Sequence, residues 1–183
     1  NAHAVVRYSN VTFTIESRGN TRSRKHVVYT IMNEEAEFLS YIIEHYDEGS
    51  KITEFEAIVY DASGKAIDKL RKSDIKDQSA ISDISLIEDS RIQYADMSQP
   101  DYPYTVEFIT EQASSGYYDI PDYYPINRKN VSVEKSQFTL IFPEEFRPRY
   151  REVNFKGDLK EGIREDNTAW IWEFSAMPAV KPE

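Results

Sequence analysis

Apolar and polar residues alternate with a period of two along most of the chain. Val11, Phe13 and Ile15 alternate with Thr12, Thr14 and Glu16, and after Arg18-Gly19-Asn20 the rhythm resumes at Val27, Tyr29 and Ile31. Successive side chains of a strand point to opposite faces, so this pattern predicts a hairpin whose strands each bury one face. Thr53, Phe55, Ala57 and Val59 alternate with Glu54, Glu56 and Ile58, then run into Tyr60-Asp61-Ala62-Ser63-Gly64-Lys65. An Asp-x-x-Gly turn followed by Ile67 and Leu70 predicts a second hairpin. Further strand-like runs cover Ile92 to Met97, Tyr104 to Thr110, Val131 to Glu134, Gln137 to Phe142, Arg151 to Phe155 and Ala169 to Ser175. Helical spacing is confined to Glu34 to Tyr41, where Phe38 and Tyr41 stand three apart, and to Asp83 to Glu88.

About nine or ten short strands joined by polar turns, without a long amphipathic helix, predict an all-β fold: an antiparallel two-sheet β-sandwich with one or two short helical turns. The 13 tyrosines fit this, because a half-buried sheet position packs the ring and leaves the hydroxyl in water. A chain of 183 residues suits a single domain. Residues 1–177 are assigned to the sandwich, and 178–183, Pro178-Ala179-Val180-Lys181-Pro182-Glu183, to the start of a linker whose prolines stop any strand.

Composition narrows the chemistry. The chain has no cysteine and three histidines, His3, His26 and His45, on what read as different segments. A thiolate nucleophile, a Cys-ligated zinc and a disulfide framework are excluded, and no stretch matches a calcium loop. No catalytic residue, cofactor or metal is therefore assigned. With 32 acidic against 22 basic residues the net charge is -10, which repels a nucleic-acid backbone. The compact basic stretches, Arg18 to Lys25 and Lys65 to Lys76, contain turn signals and read as solvated loops and an edge strand. No apolar run approaches the roughly 18 residues of a membrane helix. The absence of cysteine is compatible with an exported protein.

Among residues that could carry a function, Asp119 and Asp122 flank Ile120-Pro121, and Glu144-Glu145 follow Pro143. Paired acids can serve as general acid and base, but proximity in sequence does not set their separation, and such pairs arise by chance in an acidic protein. Ser114-Ser115-Gly116 lacks a strand-turn-helix context and reads as a loop. The candidate binding segment is aromatic. Tyr117, Tyr118, Asp119, Asp122, Tyr123 and Tyr124, with Tyr102 and Tyr104 upstream and Pro100, Pro103, Pro121 and Pro125 interspersed, would present rigid rings able to grip a sugar face or an extended peptide. The simpler reading is that these rings close one end of the sandwich, with the prolines fixing the loop on the core. Trp170, Trp172 and Phe174 alternate on one strand face and read as the last core strand.

Taken together, Tyr60 to Lys65, Ser73 to Asp77, Glu88 to Arg91, Pro103 to Phe108, Tyr124-Pro125-Ile126, Val131 to Pro143 and Trp170 through Pro178-Ala179 to Glu183 resemble a family of uncharacterised bacterial domains. Members of that family sit immediately before transglutaminase-like cores in exported proteins, especially of Bacteroidetes-type bacteria. The resemblance covers nearly the whole chain, with one departure: Pro100-Asp101-Tyr102-Pro103 replaces the proline-glycine turn common in the family. It implies a β-sandwich with no established activity of its own. It also implies a partner, a downstream core in the same polypeptide whose Cys-His-Asp set forms an acyl-enzyme. None of those three residues can be carried over to this chain. The resemblance thus points to a non-catalytic N-terminal accessory module of a larger cell-envelope protein, periplasmic or otherwise exported, that positions or gates the catalytic domain or its substrate. The alternative is an extracellular glycan- or peptide-binding module that uses the tyrosine-rich loop.

Overall fold

The computed structural model describes residues 2–80, 90–116, 119–125, 128–154 and 157–180. Its strands are β1 (Ala4–Ser17), β2 (Asn20–Ile31), β3 (Tyr41–Tyr46), β4 (Ser50–Tyr60), β5 (Ala66–Lys69), β6 (Lys76–Ser79), β7 (Arg91–Asp96), β8 (Tyr104–Ser115), β9 (Val131–Phe142), β10 (Asp158–Arg164) and β11 (Asn167–Met177). Short 3₁₀ turns occupy Glu34–Ser40, Lys72–Asp74 and Glu144–Phe146. An eight-stranded sheet in the order β10-β11-β9-β1-β2-β8-β4-β5 lies beside a three-stranded sheet, β3-β7-β6. The fold is the all-β, two-sheet arrangement that the periodicity predicts. One pairing departs from an antiparallel sandwich: β1 and β9 run parallel, with Ala4 opposite Val131 and Thr14 opposite Ile141.

Both predicted hairpins form. Gly19 closes the first with φ +80°, and its backbone lies so close to Gly116 that an added Cβ would meet the Gly116 carbonyl oxygen at 3.1 Å. In the second, the Asp61 carboxylate accepts from Ser63 N at 2.8 Å and Lys65 N at 3.1 Å, which pins the turn between β4 and β5.

In an unbroken strand Val6 and Phe13 would face opposite ways, yet both are buried on the inner face. A register shift between Val6 and Tyr8 changes the phase of β1. β9 changes phase alongside it: Glu134 and Lys135 are exposed in succession, after which Ser136, Phe138, Leu140 and Phe142 take over inward positions from Val131 and Val133. Two runs predicted separately, Val131 to Glu134 and Gln137 to Phe142, are therefore one strand.

The inner face of the large sheet carries two cores. Val6, Ile31, Val59, Tyr104 and Val106 pack against Ile42 of β3, Ala36 and Met97. Phe13, Ile15, Phe138, Leu140, Phe142, Trp170 and Trp172 form the second, which irregular chain covers through Ile120, Tyr123 and Phe146. Trp170 and Trp172 thus belong to a core strand, as their alternation predicts.

Several elements differ from expectation. The helical spacing yields a 3₁₀ turn capped by Asn33, whose side-chain oxygen accepts from Glu35 N at 3.2 Å, but Tyr41 already begins β3. Residues 151–154 form no strand, and Asn154 adopts φ 54°. Ser114 and Ser115 end β8 instead of forming a loop. The basic stretch Arg18 to Lys25 is largely strand β2: Arg22 pairs with Glu16 and Glu111, Arg24 with Glu54, and Lys25 with Glu44. The second basic stretch is exposed turn and the short strand β5 at the sheet edge, as predicted. Asp83 to Glu88 lies outside the described residues.

Candidate binding cleft

The small sheet covers only part of the large one. β3 is anchored above β8 and β2: Glu44 accepts from Thr110 Oγ1 at 2.7 Å and from Lys25 Nζ at 3.0 and 2.9 Å. Segment 119–125 is anchored above β9 and β11, where Tyr123 stacks on Phe138 (ring centroids 5.1 Å), approaches Phe174 (6.1 Å) and hydrogen-bonds Ser136 through its hydroxyl. Between these two walls runs a cleft of about 930 Å³, with Ser23, Lys25 and Val27 of β2 and Gln112 of β8 on its floor. That volume lies within the usual range for ligand sites, several hundred to about 1,000 Å³.

The floor is polar at its centre. Glu44 is only 7% exposed, and burial of a lone carboxylate costs several kcal/mol, so the Lys25 ammonium and the Thr110 hydroxyl are what make this position tenable. Lys25 keeps part of its side chain in the cleft, 41% exposed. The rim is apolar and acidic. Phe38, Tyr41, Ile43 and Tyr124 are large exposed apolar residues that all line the cleft, and the Arg128 guanidinium lies over the Phe38 ring at 5.5 Å. Asp119 and Asp122 stand on the opposite wall from β3, exposed to solvent.

Of the six residues assigned to the aromatic segment, Tyr117 and Tyr118 lie outside the described residues. Asp119, Asp122 and Tyr124 do share the cleft, and the Tyr124 hydroxyl points to Asp122 at 3.4 Å. Tyr123 contributes to the wall but turns its ring into the second core, and that burial pushes its hydroxyl up from the ordinary tyrosine range despite the bond to Ser136. Its ring holds the wall down on the second core, whereas the neighbouring Tyr124 ring is exposed. Tyr104 is 1% exposed and Tyr102 packs beside it. These two close the first core, and a hydrogen bond to Glu37 pushes the Tyr102 hydroxyl up to about 12.

The acids and histidines are dispersed. Glu144 is held below the usual carboxylate range by Arg147, which binds it at 2.6 Å, and it also accepts from Thr168 at 3.1 Å. His3 meets Glu35 at 2.8 Å. His26 meets Glu107 at 2.7 Å on the outer face of the large sheet, where Tyr60 donates to the same carboxylate at 2.8 Å. Among the described residues no group of three or more histidines and acids is arranged to hold a metal ion.

The outer-face carboxylates carry a pH signature. Burial pushes Glu107 and Glu111 up, but hydrogen bonds from Tyr60 and His26 to the first, and from Thr53 and Arg22 to the second, outweigh it and leave both below 4.5. Asp77, bonded by Tyr46, and Glu173, bonded by Lys160, are lowered too. A carboxyl depressed on folding stabilises above its unfolded value, and the gain is lost as pH falls through the folded value. The melting temperature should accordingly hold between about pH 8 and 5 and fall below about pH 4, as read by calorimetry. A melting temperature that rose toward acid would show that relief of the net negative charge dominates instead.

The matched family model spans residues 17–181. The chain belongs to the DUF3857 family. That family is described as a domain of unknown function with solved structures. The DUF3857 chain is also similar to the crystal structure, at 2.00 Å, of a "putative protease" from Parabacteroides distasonis, with a TM-score of 0.83 at 13% identity. That likeness extends over 99% of this chain but only 37% of the other, and at such identity it speaks to the fold alone. No curated protein matches the sequence. The β3 wall of the DUF3857 cleft and the Lys25–Glu44 pair beneath it are not among the elements that the alternation predicts. The run Tyr41-Ile42-Ile43-Glu44-His45-Tyr46 does carry an inward-facing pair, Ile42 and Glu44, but an acid at an inward position hides the alternation.

Proposed function

We propose that this DUF3857 domain is a non-catalytic accessory module of a larger, exported, transglutaminase-like protein of the cell envelope, and that it positions or gates substrate for a neighbouring catalytic domain. The observation that carries this reading is the cleft: a long open groove with an apolar and acidic rim, whose ionisable floor groups are committed to one another instead of poised over a vacant reaction centre. The likeness to just over a third of a longer chain supports a role as one part of a multidomain protein. The absence of cysteine leaves thiol-based acyl-enzyme chemistry to another domain. A second reading, a glycan-binding module, draws on the exposed Tyr124 ring beside Asp122 on the cleft rim.

The test is an activity comparison of the longer protein with and without this domain. Peptide cleavage and amide transfer should fall about tenfold or more in kcat/KM on deletion, while a small amide substrate is turned over as before. Equal activity on all substrates would reduce the domain to a bystander.

A further inference from the structure

Among the described residues β3 is an edge strand of the small sheet, and its open edge lines the cleft from Tyr41 to Tyr46. Within a strand the N–H and C=O of one residue point the same way and alternate from residue to residue. Ser40 O accepts from Met97 N at 3.2 Å on the β7 side, and Ala80 N donates to Ser90 O at 2.8 Å across the β6–β7 pair. With Ile42 opposite Ala95 and Glu44 opposite Gln93, the even-numbered residues of β3 therefore bond β7. The odd-numbered ones face the cleft, as the 3.0 Å bond from Gln112 Nε2 to His45 O confirms. Tyr41 N is satisfied by Phe38 O. What the edge offers inward is the carbonyl of Tyr41, both backbone groups of Ile43 and the N–H of His45.

Edge strands are ordinarily blunted by lysine, proline, a bulge or an inward-pointing charge. β3 carries no lysine, proline or bulge, its inward-pointing Glu44 is paired with Lys25, and its pairing with β7 runs without a register shift from Tyr41 to Tyr46. The layer to which it belongs stops short above β2, so the cleft occupies the place of the next strand of the sandwich. Six residues at about 3.3 Å each give an edge of roughly 20 Å.

The geometry points to β-strand addition: an extended polypeptide segment bearing Lys or Arg docks in the cleft antiparallel or parallel to β3, completing the second layer of the sandwich. Main-chain pairing comes from Tyr41, Ile43 and His45. Charge selects the occupant. Lys25 is paired with Glu44, and Arg128 lies over Phe38, whereas Asp119 and Asp122 stand across the cleft from β3, where a cation on the added strand would meet them. Alternate side chains of the added strand would lie on Phe38 and Tyr124. This inference needs only the cleft of this chain and stands apart from the catalytic role of any neighbouring domain.

The test titrates the isotope-labelled 183-residue chain with a synthetic heptapeptide of alternating valine and lysine, observed through backbone amide shifts. Saturable shifts centred on Ile43 and His45 are expected. Binding should weaken at least about tenfold when glutamate replaces lysine, and about tenfold or more when alternate peptide amides are N-methylated, since each change removes charge-assisted or main-chain pairing. Ile43→Pro removes a cleft-facing N–H without touching the β7 ladder, and proline is tolerated at such edge positions, so the variant should melt near wild type and lose the peptide. No saturable shift at millimolar peptide, binding that survives both N-methylation and Ile43→Pro, or binding of chito-oligosaccharide in place of peptide would each overturn the proposal.

Discussion

Tyr123→Ala should cost about 2–4 kcal/mol of stability, while Tyr123→Phe costs about 1 kcal/mol and Tyr124→Ala almost nothing. The two tyrosines are neighbours on one segment, but their rings do opposite things. Tyr123 stacks on Phe138, approaches Phe174 and bonds Ser136, so truncation opens a cavity in the second core and releases the segment that forms one wall of the cleft. Tyr124 is 64% exposed and leaves little behind when removed. Phenylalanine at 123 keeps the stack and forfeits only the hydroxyl bond. Equilibrium denaturation of the three variants separates these effects. A Tyr123→Ala variant as stable as wild type would mean that the wall is not held by this ring.

Trp170→Ala should be more damaging still, by about 3–5 kcal/mol, or a fall in melting temperature of about 10 °C or more for a chain of this size. Trp170 is 5% exposed and lies between Phe142, at 4.6 Å, and Tyr150, at 5.0 Å, with Trp172 at 6.1 Å. The Arg147 guanidinium sits over it at 5.2 Å, and its indole N–H donates to Glu161 at 2.9 Å. Removing it therefore empties the second core and strips the packing from Tyr150 and Arg147, which tie residues 143–154 to the large sheet. Trp170→Phe, which retains a ring against Phe142, should recover more than half of the loss. Thermal melts that placed Trp170→Ala within a degree or two of wild type would contradict this assignment of the core.

The hairpins and the all-β class were legible because they depend on local signals: alternation with a period of two, Gly19 at a left-handed turn and the Asp61-to-Gly64 turn. The parallel neighbour of β1 was not, since which strands pair is a long-range choice that periodicity does not encode. β10 escaped notice because every residue in it is exposed, and β6 because Lys76-Asp77-Gln78-Ser79 has no apolar face. β3 was hidden by three apolar residues in succession, Tyr41-Ile42-Ile43, next to a genuine helical turn. Conversely, Arg151 to Phe155 alternates well in sequence, yet residues 151–154 have no partner strand among the described residues, and Asn154 takes a left-handed conformation there.

For the candidate site, the sequence located the aromatic-acidic wall but not the wall that faces it. Asp119, Asp122 and Tyr124 belong to the local run of tyrosines, acids and prolines that the sequence singles out, and they line the cleft. That Tyr123 points away from it depends on where β9 lies beneath the segment. Lys25 and Glu44, 19 residues apart, meet only because the small sheet folds over β2.

The proposed role requires the cleft to be a surface that serves substrate and not a gap between packed elements. The most direct measurement is kcat/KM of the proposed larger protein carrying Ile43→Pro, assayed side by side on an extended lysine-containing peptide and on a small amide substrate. A cleft that serves substrate should show about a tenfold loss on the peptide with the small substrate unchanged; wild-type kcat/KM on both substrates, or a parallel loss on both, would overturn that role.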